Sequence, residues 1–161
     1  MNKLKWILPL FALAIMLGGC PYQSENALDK PSIKVNPILL GAWEPKSSSD
    51  DKYTVTKDDE FTYKIEKKGK EAKDVTHYKA FLSKVDDSNF LNLWEDNGTT
   101  PITYYFYKVE LNSANSKVTL SPVTENITEK FATGDEMKAF FKKYKNISFF
   151  YGKDAEVLIK D

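Results

Sequence analysis

Residues 52–66 read KYTVTKDDEFTYKIE. Before Lys57-Asp58-Asp59, Tyr53 and Val55 fall on one face; after it, Phe61, Tyr63 and Ile65 share a face, with Thr62 and Lys64 opposite. A period of two broken by a polar, aspartate-rich turn is the pattern of a β-hairpin with one side buried. The same rhythm continues outward. Towards the N-terminus, Leu39 to Trp43 is a short apolar run. Towards the C-terminus, Lys67-Lys68-Gly69-Lys70 turns the chain into 75–85, where Tyr78, Ala80 and Leu82 share a face. Asp86-Asp87-Ser88 leads into 89–95, with Leu91 and Leu93 on one side and Phe90 and Trp94 on the other. After Asp96-Asn97-Gly98 comes the strongest strand, Ile102 to Leu111 (ITYYFYKVEL), and Val118 and Leu120 alternate in 117–120. Turn signals about every ten to fifteen residues predict an antiparallel meander that closes into a small barrel or sandwich.

One helix interrupts the strands. Thr133-Gly134-Asp135-Glu136 is a capping box, and Met137, Phe140, Phe141 and Tyr144 then recur at helical spacing as one apolar stripe. Lys142 and Lys143 suit the negative end of the helix dipole. The helix is predicted over about 134–145. Beyond it, 147–151 and 156–159 read as two more short strands, giving a mainly β domain of eight or nine strands.

The N-terminus has a different logic. Lys3 and Lys5 precede an uncharged apolar run, Trp6 to Leu17, which is followed by Gly18-Gly19 and Cys20. Charge, apolar run and small residues in that order form a secretory signal, and the run is shorter than the roughly 20 residues of a spanning helix. Leu17-Gly18-Gly19-Cys20 resembles the lipobox of bacterial lipoproteins. The resemblance implies diacylglycerol on the Cys20 thiol, cleavage before Cys20, and a membrane as partner through that lipid. Pro21, in place of an aspartate that would resemble an inner-membrane retention signal, favours the outer membrane, on its periplasmic side or at the surface. Residues 1–19 are then a signal peptide, 20–37 a lipidated N-terminus and flexible tether marked by Pro21, Pro31 and Pro37, and 38–161 a single β-rich domain.

Composition narrows the function. Without residues 1–19 the chain keeps 21 lysines against 23 acidic residues, and it has no arginine at all. Bidentate recognition of phosphate or guanine falls to arginine, so nucleic acid is not an expected partner. The one cysteine allows no intrachain disulfide. His77, the single histidine, has neither a nucleophile elbow nor a metal-ligand set around it in sequence, and it reads as a surface strand residue. Asp50-Asp51, Asp58-Asp59-Glu60 and Asp86-Asp87 read as solvated turns. Lys64, Lys67, Lys68, Lys70 and Lys73 would face anionic headgroups but for the interspersed Glu66, Glu71 and Asp74. No enzyme activity, metal or cofactor is expected.

Gly41-Ala42-Trp43, at the opening of the first long strand, resembles the Gly-x-Trp motif of lipocalins, and a meander followed by one late helix is similar to the order of that family. The resemblance implies that Trp43 packs across the closed end of a ligand-binding barrel. In that family an arginine stacks on the tryptophan, and this chain has none. The candidate ligand or partner surface comprises Trp43, Tyr63, Tyr104, Tyr105 and Tyr107. A cavity lined by Trp43, Tyr63 and Tyr104 would favour a small apolar or amphipathic ligand. A filled core with Tyr105 and Tyr107 exposed would favour an envelope protein partner. The sequence orders a non-enzymatic interaction or structural module first and ligand binding second.

Overall fold

Antiparallel pairing in the computed structural model runs through every strand, because each turn is short and each strand alternates. The structure describes residues 21–161 apart from 48, 72, 113 and 115; the segment expected to be a signal peptide and Cys20 lie outside the described residues. The strands are β1 (Gln23–Ser24), β2 (Gly41–Pro45), β3 (Lys52–Lys57), β4 (Thr62–Lys68), β5 (Val75–Val85), β6 (Ser88–Glu95), β7 (Tyr104–Asn112), β8 (Lys117–Pro122) and β9 (Glu156–Lys160), with the single helix α1 (Gly134–Tyr144) between the last two. From β2 to β8 each strand pairs with the next, β9 pairs with both β8 and β2, and an eight-stranded barrel closes. Closure leaves no long free edge. It also decides between barrel and sandwich. The short β1 sits outside the ring, on the first two residues of β7, while β8 takes β7 from Tyr107 onward.

Two apolar clusters lie on opposite sides of the wall. Trp43, Tyr63, Ala80, Leu82, Leu91, Val109, Val118 and Leu158 are buried inside the barrel. Outside it, Val85, Phe90 and Phe106 are buried beneath Met137 and Phe141 of the helix stripe. The Phe141 ring meets Phe90 at 5.2 Å and Phe106 at 5.5 Å, edge to face in both cases. Thr133 accepts the Glu136 amide at 3.2 Å, while the Glu136 carboxylate reaches back to the Ala132 amide at 3.0 Å. The capping box therefore forms with its second arm one residue further out than the usual pairing.

Three sequence readings are corrected. Residues 147–151 are not a strand: Ser148–Phe150 is a 3₁₀ turn that buries Phe150 against Phe141 at 5.1 Å. The strand expected from Ile102 starts at Tyr104. Residues 21–37, read as a flexible tether, are packed onto the barrel. Tyr22 and Leu28 are buried with the helix cluster, and Ile33 and Val35 pack against the interior cluster. This segment is a strap that starts beside β7, descends the outer wall and passes under the barrel. Asn92, fully buried, holds it by accepting the Leu28 amide at 2.9 Å and donating to the Ser83 hydroxyl at 2.8 Å. Ser83 in turn donates to Asp29, which Lys138 of α1 also reaches. Wall, strap and helix thus share one polar chain, fully satisfied.

Candidate functional site

The inner face of the barrel encloses a cavity of about 720 Å³, within the range of small-molecule sites. Its position follows from strand parity. Tyr63 pairs across to Ala80, Ala80 to Leu93 and Leu93 to Tyr105, so large and small side chains adjoin around the ring. The valines at 55, 109 and 118 line it and leave space that bulkier residues would fill. One end is shut. The strap ends in a 3₁₀ turn, Pro37–Leu39, whose carbonyl at Leu39 accepts Trp43 Nε1–H at 2.9 Å. The Asn36 amide donates to the Tyr63 hydroxyl at 2.8 Å, and Val35 donates to the Glu60 carbonyl at 3.0 Å. Lys160 places its ammonium 5.3 Å from the Trp43 ring centroid and donates to the Ile38 carbonyl. A lysine thus lies over the ring where an arginine was lacking.

The other end opens where β2, β4, β6 and β8 finish. Asp51, Lys67, Tyr78, Glu95, Tyr105, Asp154 and Glu156 lie around it, together with Pro21 and Pro122. Lys67 bridges Asp51 at 3.0 Å and stands 5.9 Å from the Tyr53 ring centroid. The Tyr53 hydroxyl donates to Glu156 at 3.1 Å. Desolvation by the surrounding wall holds the Glu156 carboxyl above its ordinary range, against the opposing pull of the Tyr53 bond and Lys67. Burial beside that carboxylate pushes the Tyr53 phenol far up. Tyr53 stays a neutral donor at any physiological pH.

Of the five residues singled out from sequence, Trp43, Tyr63, Tyr105 and Tyr107 line the cavity together. Tyr104 does not. It points outward into an aromatic group with Trp94 at 5.6 Å and Phe81 at 6.5 Å. Neither of the two alternative arrangements is met in full: there is a cavity, but Tyr105 and Tyr107 line it in place of Tyr104. Sequence reasoning missed Glu156 and Tyr53, whose contact spans more than one hundred residues. Alternation marks Tyr53 as inward, but nothing local pairs it with the last strand.

Elsewhere the polar residues have ordinary tasks. His77 is exposed on the outer face of β5. Asp59 accepts the amides of Phe61 and Thr62 at 2.8 Å each, a turn-forming role that holds its carboxyl below the usual range. Lys67, Lys68, Lys70 and Lys73 each lie within ion-pair distance of a carboxylate. Among the described residues no group of His, Cys, Asp and Glu is arranged to hold a metal, and no helix is long and apolar enough to cross a membrane. No family model, curated protein or solved structure matches the chain.

Proposed function

We propose that this protein is a lipid-anchored envelope barrel that binds a small apolar or amphipathic molecule without chemically changing it. The observation that carries the reading is the cavity: about 720 Å³, apolar over Val55, Ile65, Leu91, Leu93, Val109 and Leu120, floored beside Trp43 and polar at its open end. Apolar walls with a few convergent polar groups are what a ligand of mixed character requires. A cavity of this size also lacks the packing contacts of a filled core, a loss that only a ligand or some other gain offsets. The alternative, a module acting through its surface, draws on exposed apolar residues such as Phe149, which is 72% accessible. Scattered single residues of that kind occur on most soluble proteins. The lipid anchor rests on the lipobox alone.

Native mass spectrometry with lipid extraction, on the mature chain purified from its own cell envelope with Cys20→Ser, tests the ligand reading. A stoichiometric co-purified small molecule is the expected result. A clean apo mass, together with no binding of any amphiphile in titration, would overturn it. The anchor has its own test: a clickable fatty acid should label the wild-type protein and not Cys20→Ser. An unlabelled wild type sinks the anchor and leaves the cavity untouched.

A further inference from the structure

The charges lining the open half of the cavity are unequal. Asp51, Glu95, Asp154 and Glu156 stand against one ammonium, Lys67, which Asp51 already engages, while Lys70 and Lys73 line an adjoining recess and pair with Asp50 and Glu71. Glu156 is the carboxylate that matters most. It sits half-buried on the inner face of β9, and its hydrogen-bond donor is a neutral phenol. Its neighbours on the facing elements are Tyr53 of β3, Lys67 of β4, Asp51 of the β2–β3 loop and Asp154 of its own approach, while the paired residue on β8 is the apolar Leu120. A carboxylate removed from water beside apolar walls is costly until a cation meets it. Aromatic faces adjoin it. Tyr53, Tyr78, Tyr105 and Tyr107 all line this half of the cavity, and the Lys67 ammonium over the Tyr53 ring shows that one such face receives a cation. Carboxylate and tyrosine faces together make the chemistry that recognises an ammonium group.

We infer that the ligand is a cationic amphiphile, its ammonium head held between Glu156 and the tyrosines at 53, 105 and 107 and its apolar body directed towards Trp43. This rests on the cavity being a ligand site. The head group neutralises the half-buried carboxylate, and the tail fills the space beside the valines at 55, 109 and 118. An anionic head would meet four carboxylates. A neutral sugar head would leave Glu156 uncompensated.

Calorimetric titration of the mature Cys20→Ser chain with decyltrimethylammonium, decyl sulfate and decyl glucoside, each below its micelle threshold, tests the inference. The ammonium compound should bind about ten- to a hundredfold more tightly than the other two, the range expected for a charged contact in a shielded site. Glu156→Gln, which keeps the shape and an acceptor for the Tyr53 hydroxyl, should abolish that preference. Tyr53→Phe should weaken the ammonium less than Glu156→Gln, since the ring face remains. Equal binding of all three probes, or an unchanged preference in Glu156→Gln with native near-ultraviolet circular dichroism, overturns the cationic assignment and leaves the cavity reading standing. Binding of none of them overturns the cationic assignment and, together with a clean apo mass, the cavity reading itself.

Discussion

Asn92 carries three polar contacts at a fully buried position: the Leu28 amide, the Ser83 hydroxyl and the Phe81 carbonyl. Asn92→Ala leaves the Leu28 amide buried without an acceptor, at a cost of about 1–3 kcal/mol. The urea midpoint should fall accordingly, and amide exchange should rise first in residues 26–30. Gly134 is a second such point, because a Cβ there would stand 2.3 Å from the Ala27 carbonyl oxygen. Gly134→Ala should therefore loosen the strap from the helix, which limited proteolysis after residue 27 would register. Glu156 works in the opposite direction. Its folded pKa is raised by burial, so its stabilising share is full below the unfolded value near about 4.3 and is lost as pH rises through the folded one. At neutral pH, where the unfolded chain ionises this group freely, its burial costs the empty barrel stability. Glu156→Gln should raise the unfolding midpoint at pH 7, and that gain should vanish below about pH 4. The run Tyr104 to Tyr107 shows how far single residues are legible. Alternation separates 104 and 106 from 105 and 107, and parity is faithful. Parity cannot say which pair faces inward when both faces of the strand are covered, and here the helix covers one while the cavity occupies the other.

Helix α1 was readable to within a residue because cap, stripe and lysines agree over one short window. Thr133→Ala should cost about 1 kcal/mol, and Phe141→Ala, which empties the centre of the outer cluster, about 3–5 kcal/mol; thermal unfolding distinguishes the two by size. The 3₁₀ turn at Ser148–Phe150 reads as a strand in sequence because a short run rich in apolar residues, Ile147 to Tyr151, precedes the turn Gly152-Lys153-Asp154. The buried residue is Phe150, and Phe149 faces solvent. The strap was illegible for a different reason. Tyr22 and Leu28 pack into the outer cluster while Ile33 and Val35 pack against the interior one, so no single period relates the four. Irregular segments that wrap a core leave no periodic trace.

Closure belongs to the molecule as a whole. The last strand, β9, is the only link between β2 and β8, so the final residues complete a ring begun more than one hundred residues earlier. Truncation before Glu156 should open the wall, remove Glu156 from Tyr53, and replace a single cooperative unfolding step with a broad one, visible by near-ultraviolet circular dichroism. That the strands form a meander was plain from turns and alternation. That they close was not, since closure depends on the pairing of β2 with β9, which no local pattern encodes.

The strap has a consequence for how the protein stands. Seventeen residues that would serve as a spacer are laid along the outside and underside of the barrel, and the strap begins at Pro21, which bridges Thr124 and lines the open rim. Cys20 is the residue that precedes Pro21 in the chain. With lipid on Cys20, the molecule has no stalk. It would stand inverted on its membrane, doorway against the headgroups and closed base outward, and cargo would pass between bilayer and barrel over a threshold one residue deep rather than travel through bulk solvent.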